Sequence, residues 1–332
     1  MPAPNADAIL AIARNFWECR ILLTAAELDL FTLLARTTLT AEEVARRIGG
    51  DPRAVTILLD ALAAMELLAK RDGRYACPPE VAVHLASDSP QSVLPMVLHS
   101  ASLWRRWSEL TGVVRGDPEA RARAQGARDE AAERAFIGAM HVVSGPRAAT
   151  LVSIVKPGSA QALLDIGGAS GTYTIAFLQA CPRMRATLFD RPTVVGLARE
   201  RLAAAGLLER AALVGGDFYR DELPRGHDLA LLSAIIHQNS PAQNEELYRK
   251  VRRALVPGGR LIIRDHVMSP DRTDPRDGAI FAINMLVGTE GGGTYTLAEI
   301  ESGLTAAGFE RVRLLQGGPG MMGIVEVHRP PG

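Results

Sequence analysis

The spacing of apolar residues divides the chain into a helical N-terminal part and a C-terminal part in which strands and helices alternate. Apolar side chains recur at helical spacing within residues 6–23 and again within residues 91–155. The pattern changes after Lys156-Pro157-Gly158, which is a helix-stopping signal. We therefore expect the 332-residue chain to have three parts. A first part at residues 1–90 is followed by a helical linker or substrate-covering region at 91–157 and by a third part at 158–332.

Capping and turn residues predict the order of elements in the first part. Thr40 and Glu43 have the spacing of a capping box at the start of a short helix, which a pair of glycines ends. Asp51 is expected to cap the next helix, with Pro52 in its first turn. Asp72-Gly73 then marks the tip of a hairpin. Helix, short helix, long helix and hairpin is the order of a winged helix.

Because many winged helices bind DNA, the helix that follows Pro52 has to be considered as a recognition helix. It displays Arg53 and little other positive charge, and leucines dominate it. Lys+Arg and Asp+Glu both number 37, whereas a nucleic-acid binder usually shows a basic excess or stripe. We favour dimerisation, since an apolar helix surface is usually buried against something. A ligand-responsive transcription regulator is the alternative, which a salt-dependent shift of DNA on a gel would support.

Seven short apolar segments after residue 158 are predicted strands. They lie at residues 162–166, 186–189, 211–214, 228–232, 260–265, 312–315 and 322–327, and helices are expected to begin near Thr172, Thr193, Pro241 and Leu297. Such alternation implies a parallel sheet with helices on both faces. By itself, this periodicity supports a doubly wound α/β fold and no particular activity.

The most informative motif is Asp165-Ile166-Gly167-Gly168-Ala169-Ser170-Gly171, where the first strand of this part turns into its first helix. This junction is the usual ligand edge of such a sheet, and glycines let a ligand approach the main chain closely. A dinucleotide site requires G-x-G-x-x-G. Read from Gly167, that pattern fails at Ala169 and at Thr172, which disfavours a nicotinamide-dependent oxidoreductase.

Acidic residues stand at the ends of the first three predicted strands. Asp190 follows the second strand, where a carboxylate can accept hydrogen bonds from both ribose hydroxyls. Asp217 follows the third, where it can accept from an adenine amine, and Phe218 can cover the base. Asp165 can attract the ammonium group of a methionine moiety. This spacing indicates a site for S-adenosylmethionine.

Two further features turn this pattern into a resemblance to a known family. The glycine turn resembles the methyltransferase pattern acidic-x-G-x-G-x-G, with Ala169 in place of the middle glycine, and Ile235-Ile236-His237 is followed by a helix and Pro257-Gly258-Gly259. The chain, from about residue 10 to 328, resembles the class I O-methyltransferases that include caffeate, acetylserotonin and bacterial natural-product enzymes.

The resemblance implies a fold, a cofactor and an assembly. We expect a Rossmann-like, seven-stranded α/β methyltransferase domain and an N-terminal all-helical winged-helix dimerisation domain that forms a homodimer. The implied cofactor is S-adenosyl-L-methionine. The residues expected to bind it are Asp165, Gly167, Gly168, Gly171, Asp190, Asp217, Phe218 and Ser233.

In the family pattern, a histidine after the fourth strand is the general base on a substrate hydroxyl, and His237 matches it. An unperturbed imidazole has a pKa near 6.5 and so is largely neutral at pH 7. Glu326 matches one family glutamate that flanks this histidine, while Thr294 stands at the position of another. Gln238 replaces the aspartate of the usual His-Asp pair, and Ser233 stands where a lysine is common.

The leading interpretation is methyl transfer to a hydroxyl group of a small, aromatic, natural-product-like molecule. The departures at Gln238 and Thr294 leave open a C- or N-methyltransferase with the same cofactor site and no strong base, or a non-methylating member of the fold. The candidate substrate-pocket residues are Met140, His141, Asn284, Met285 and Met322.

Other features exclude several classes of protein. The three cysteines are far apart and form no CxxC pair, and no H-E-x-x-H pattern occurs, so neither a disulfide framework nor a metal site is expected. Free thiols favour a cytoplasmic location. No uncharged apolar run is long enough for a membrane span, so a membrane is not an expected partner. Because positive and negative charges balance, nucleic acid is not an expected partner either.

Overall fold

The computed structural model describes residues 3–126 and 130–332. The chain divides into two compact units. The N-terminal unit runs to Arg105 and includes a later segment that ends at Val142, and the C-terminal unit comprises a segment from Arg106 and residues Val143–Gly332. The finer division at residues 90 and 157 stays a prediction.

Short helices make up most of the first half of the chain. The elements are α1 (Ala6–Arg14), α2 (Phe16–Glu27), α3 (Leu30–Arg36), β1 (Leu39–Thr40), α4 (Ala41–Ile48), α5 (Pro52–Ala64), β2 (Ala69–Arg71), β3 (Arg74–Ala76), α6 (Pro79–Leu85), α7 (Leu94–Ser108), α8 (Leu110–Val114), α9 (Pro118–Ala124) and α10 (Glu130–Val155). The three short strands form an antiparallel sheet in the order β1-β3-β2, which adds to the expected helices.

The local signals of the winged helix have the predicted geometry. Both hydrogen bonds of the capping box between Thr40 and Glu43 are present at the start of α4. The Asp51 side chain accepts from the Ala54 N–H at 2.8 Å and so caps α5. Asp72 and Gly73 both have positive φ, 51° and 74°, as a tight two-residue hairpin turn requires. The sequence predicts these caps and this turn correctly because each is made by residues at most three positions apart.

Apolar side chains of the N-terminal unit are partly exposed on its first two helices. The leucines of α5 lie inside the unit, since Leu59 and Leu62 are fully buried in its core. In contrast, large apolar side chains of α1 and α2 are at least 48% exposed. They are Ile9, Leu10, Ile12, Phe16 and Trp17.

The C-terminal unit is built on a seven-stranded sheet. Its elements are β4 (Ala162–Ile166), α11 (Thr172–Ala180), β5 (Arg185–Asp190), α12 (Pro192–Ala204), β6 (Ala211–Gly215), β7 (His227–Ser233), α13 (Pro241–Ala254), β8 (Leu255–Asp265), β9 (Val267–Met268), α14 (Arg276–Gly288), β10 (Tyr295–Thr296), α15 (Leu297–Ala306), β11 (Glu310–Gln316) and β12 (Gly323–His328). The strand order is β11-β12-β8-β7-β4-β5-β6. All seven predicted strands are present, and β8 begins at Leu255 rather than at Arg260.

The register of this sheet decides which side chains meet. Strands β6, β5, β4, β7 and β8 are parallel, so their carboxyl ends share one edge, and β12 runs antiparallel to β8. Apolar clusters fill both faces: one includes Leu164, Leu232 and Ile263, and the other includes Leu163, Leu231 and Ile262. Within residues 3–126 and 130–332, no helix combines the length and apolar character needed to cross a membrane.

Candidate functional site

The turn between β4 and α11 is a tight glycine cradle. Gly167 has a φ of 70°, and a Cβ there would lie 2.5 Å from Ile235 Cδ1. A Cβ on Gly168 would lie 2.6 Å from Leu188 Cγ. Ala169 also has a positive φ, 47°, which costs an L-residue about 1–2 kcal/mol. The turn therefore needs glycine for close packing as well as for its backbone angles.

Asp165 lies beneath this turn and is 1% exposed. Its Oδ2 accepts a hydrogen bond from Thr174 Oγ1 at 2.6 Å. Burial raises the pKa of the Asp165 carboxyl to about 6; the Thr174 hydrogen bond opposes this rise and the Asp190 charge adds to it. A buried carboxylate whose pKa is raised in this way would gain from a cation beside it.

The next two acids of the predicted site also lie near this edge, and both brace the main chain. Asp190 Oδ2 accepts from the Ala169 N–H at 2.8 Å, so it connects the end of β5 to the glycine turn. Asp217 Oδ1 accepts from the Tyr219 N–H at 2.9 Å in the loop after β6. Phe218 Cε1 lies 3.9 Å from the position of a Cβ on Gly167. The structure thus brings Phe218 and Asp190 to the glycine turn.

His237 follows β7 in a short 3-10 turn, and its ring is held by a carboxylate from the next strand. Its Nδ1 lies 2.9 Å from both Oδ1 and Oδ2 of Asp265, the last residue of β8. Asp265 is 1% exposed. Burial tends to raise its pKa, but interaction with His237 and the His266 N–H outweighs burial, so the pKa lies below its usual value. An ionised Asp265 accepts a hydrogen bond from the Nδ1–H group, which favours the tautomer with its lone pair on Nε2.

Asp265 and Phe281, which both contact the His237 ring, are residues that the sequence analysis missed. In the family pattern an aspartate directly follows the histidine, and Gln238 at that position led us to expect the loss of a carboxylate. The structure supplies one from 28 positions further along the chain. Phe281 of α14 stands edge-on to the His237 ring, with centroids 4.9 Å apart. The position of Asp265 at a strand end, as for Asp165 and Asp190, was the available signal.

Buried amides hold the turn that carries His237. Asn244 Nδ2 donates to the Ile236 carbonyl at 2.9 Å, and Asn239 Nδ2 donates to Asn244 Oδ1 at 2.9 Å. The Tyr295 hydroxyl donates to the Asn239 carbonyl. Gly292 packs so closely that a Cβ would lie 2.5 Å from the His237 carbonyl oxygen. These contacts restrict the backbone and so restrict where the imidazole can point.

The catalytic assignment of Glu326 is corrected by the structure. In the sheet, Glu326 pairs with Ile262 of β8, whereas Asp265 pairs with Gly323. Ile262 lies three positions before Asp265 on β8. Glu326 Oε1 accepts from Arg260 Nη1 at 2.8 Å. At about 3.4 Å per residue, this offset is about 10 Å along the strand, so Glu326 does not support His237. Its contacts give it a structural role.

The remaining predicted residues lie in different places. Ser233 Oγ accepts from Arg264 Nη1 at 3.2 Å. Asn284 Oδ1 accepts from Trp107 Nε1 at 3.1 Å, Met285 is buried, and Met322 packs against the core beside α10 and α11. Met140 and His141 are half-buried residues of α10 and belong to the N-terminal unit. That these five residues line one acceptor pocket stays a prediction.

Comparison with known proteins gives two family matches that together cover most of the chain. Residues 107–310 match the O-methyltransferase domain. Residues 10–85 match the O-methyltransferase dimerisation domain.

Individual relatives extend over nearly the full length. The chain is 33% identical over 324 residues to the 3-hydroxy-5-methyl-1-naphthoate 3-O-methyltransferase of Streptomyces sahachiroi, covering 95% of this chain and 92% of that protein. It is 33% identical over 312 residues to the tetracenomycin polyketide synthesis 8-O-methyltransferase of Streptomyces glaucescens, covering 92% and 91%. A solved structure of PigF with SAH superposes with a TM-score of 0.87 at 27% identity, covering 98% of this chain and 100% of that one.

Proposed function

The chain belongs to the O-methyltransferase family that carries a dimerisation domain, and on this basis we propose that His237 is the general base of the reaction. The protein is an S-adenosylmethionine-dependent methyltransferase that acts on a hydroxyl group of a small aromatic molecule. We further propose that the acceptor is a hydroxylated polycyclic aromatic compound, because the two relatives above are named for naphthoate and tetracenomycin substrates.

The residues at the glycine turn fit the cofactor. When bound, S-adenosylmethionine supplies an electrophilic methyl group on a sulfonium. The buried carboxylate of Asp165 can provide an anion for its ammonium group, because it lies beneath the glycine turn and its side-chain partner there is the neutral hydroxyl of Thr174. Asp190 and Asp217 at neighbouring strand ends are the candidates for the ribose and adenine groups, with Phe218 over the base.

The observation that carries the proposal for His237 is the bond between its Nδ1 and Asp265. With Nδ1 committed to the carboxylate, Nε2 is free to take the proton of an acceptor hydroxyl. Asp265 then stabilises the imidazolium that forms, and the Asn239–Asn244 contacts keep the ring in place. The resulting oxyanion is the nucleophile, whose alignment with the methyl group supplies much of the rate.

Asp265 also bears on the alternative of a C- or N-methyltransferase. That alternative was motivated by the loss of a carboxylate at Gln238 and Thr294. Since Asp265 supplies a carboxylate to His237 at 2.9 Å, the base retains its support. Transfer to oxygen is therefore the chemistry that the site favours.

The test is methylation of hydroxylated naphthoates by the wild-type enzyme and by His237→Ala, with products detected by mass spectrometry. We expect His237→Ala to lower kcat by roughly 10²–10⁴-fold for phenols that are protonated at the assay pH. Electron-poor phenols that are already ionised need no base, so the loss should be much smaller for them. Equal activity of the two proteins on protonated phenols would refute the role of base.

A control variant is available on the same strand. His227 is also buried, but it lies at the opposite end of β7 and its Nε2 bonds to Thr187 Oγ1 at 2.9 Å. His227→Gln is expected to leave the dependence of kcat on acceptor acidity unchanged. A change in that dependence in both variants would point to a general loss of structure.

We also propose that the protein is a homodimer formed through its N-terminal unit. The exposed apolar side chains of α1 and α2, among them Phe16 and Trp17, lie partly within the segment that matches the dimerisation domain. An apolar patch of this kind marks an interaction surface. Light scattering at several protein concentrations tests this, and a monomer at all of them would contradict it. The cytoplasmic location stays a prediction.

A further inference from the structure

A buried lysine of α13 holds the loop that follows β6, residues 216–221, which we call the β6 loop. Lys250 is 6% exposed. Its Nζ donates to three main-chain carbonyls, those of Phe218, Tyr219 and Asp221, at 2.9, 3.0 and 2.9 Å. An ammonium group has three donors, so these carbonyls satisfy it completely. The β6 loop is therefore restrained although it lies between regular elements.

The side chains of the β6 loop lead from the candidate adenine position to the turn that carries the base. The ring of Phe218, the candidate cover for the adenine, packs against the ring of Tyr219 with centroids 4.6 Å apart. The Tyr219 hydroxyl donates to Asn239 Oδ1 at 2.5 Å, and Asn239 lies two positions after His237. Partial burial and the charge of Asp217 raise the pKa of the Tyr219 phenol, so the hydroxyl keeps its proton at neutral pH.

Asn239 is the residue at which these contacts meet. It is 0% exposed. Its side chain accepts from the β6 loop and donates to Asn244 of α13, while its carbonyl accepts from Tyr295 of β10. Asn244 in turn donates to the Ile236 carbonyl at 2.9 Å. Hydrogen bonds therefore hold the main chain on both sides of His237, and one of them comes from the β6 loop.

The helix α13 connects the same two segments by a second route. Asn244 holds the turn of residues 236–239, and Lys250, six positions later, holds the β6 loop. Both side chains are buried, so replacing either one disturbs packing. Tyr219, in contrast, is 47% exposed. Its hydroxyl is the link that can be removed while the fold is kept.

We propose that Tyr219 is a positioning residue for His237 and makes base catalysis depend on an occupied cofactor site. The proposal rests on the proposed function, in which His237 is the base and Phe218 covers the adenine. An adenine ring packed on Phe218 restricts the β6 loop, and the Tyr219 hydroxyl then restricts Asn239 and with it the direction of the imidazole. Proton removal from the acceptor thus occurs when the methyl group is already in place.

The first experiment compares kcat of wild type and Tyr219→Phe at saturating cofactor, with phenols that are protonated at the assay pH and with phenols that are already ionised. We expect kcat for protonated phenols to fall about three- to tenfold, as the loss of one hydrogen bond produces. The value for ionised phenols should change much less, because they need no base. Equal losses for both classes would make Tyr219 a structural residue of the cofactor site and refute the proposal.

The second experiment uses the reciprocity of coupled sites, with S-adenosylhomocysteine as the probe in calorimetry. Asn244→Ser releases the Ile236 carbonyl, at the opposite end of the contact chain from Phe218. We expect this change to weaken binding of the probe about three- to tenfold. In Tyr219→Phe the same substitution should have little further effect, because the link is already absent. Additive losses in the double variant would refute the coupling.

Tyr75→Phe is the matched control. The Tyr75 hydroxyl donates to Asp60 Oδ1 at 2.6 Å within the N-terminal unit, so this substitution also removes a hydroxyl and its hydrogen bond. It is expected to lower the temperature of unfolding and to leave the ratio of the two kcat values unchanged. A similar change of that ratio in Tyr75→Phe would attribute the effect to a general loss of structure and overturn the proposal. If Asn244→Ser fails to fold, the kinetics of Tyr219→Phe decide.

The proposal and the function on which it rests fail in different ways. Full activity of His237→Ala on protonated phenols would refute the role of base, and the positioning role with it. If His237→Ala loses activity while Tyr219→Phe keeps the wild-type kcat ratio and probe affinity, only the positioning role of Tyr219 is refuted.

Discussion

Replacing Asp165 by asparagine is expected to stabilise the cofactor-free enzyme and to weaken cofactor binding. Burial raises the pKa of this carboxyl to about 6 from 3.8. Below the lower value, both folded and unfolded chains hold a neutral acid. Above the higher value, the folded chain must keep a buried carboxylate that the unfolded chain exposes to water. The difference corresponds to about 3 kcal/mol, which destabilises the protein increasingly as the pH rises from about 4 to 6.

Asparagine removes this penalty and keeps the local geometry. Its carbonyl can still accept the hydrogen bond from Thr174, which is 2.6 Å from Asp165 Oδ2. At pH 7.5 we therefore expect Asp165→Asn to be more stable than wild type by up to about 3 kcal/mol. At pH 4 the two should be nearly equal. Affinity for S-adenosylhomocysteine should fall by about ten- to hundredfold, because the ammonium group loses its anion.

Urea denaturation of the cofactor-free proteins at a series of pH values measures the first effect, and calorimetry measures the second. A variant that is less stable than wild type at pH 7.5, or whose advantage does not grow with pH, would refute the reasoning about burial. Unchanged affinity would refute the assignment of the ammonium site. The two parts can fail independently.

Three other substitutions test packing, catalysis and assembly. Gly168→Ala should cost about 1–3 kcal/mol in thermal unfolding, because its Cβ would lie 2.6 Å from Leu188 Cγ, whereas Gly196→Ala on open helix surface should not destabilise. Asp265→Asn should lower kcat by at least about tenfold and shift the pH–rate profile, since the imidazolium loses its counter-ion; an unchanged profile would contradict this. Trp17→Glu should convert the dimer to monomer in light scattering, and a dimer of unchanged stability would place the interface elsewhere.

Features that depend on neighbouring residues followed from the sequence alone. The capping box at Thr40, the turn at Asp72-Gly73 and the strand-to-helix turn after Asp165 all formed as expected. Each is decided within a few residues, by a cap, a positive φ or the alternation of apolar side chains. The sequence therefore predicted the order of the strands along the chain and their junctions with helices. These junctions also indicated which edge of the sheet carries the site.

Which side chains meet across that edge depends on contacts between residues far apart in the sequence. Glu326 and Asp265 are both acids of long strands, but the register places Asp265 at the site and Glu326 three positions away, beside Arg260. The same register brings Arg264 to Ser233. Side chains alternate between faces and each position shifts by about 3.4 Å, so one step in pairing changes every partner. The pairing of strands is determined by packing of the whole core, and a local sequence pattern carries no information about such long-range packing.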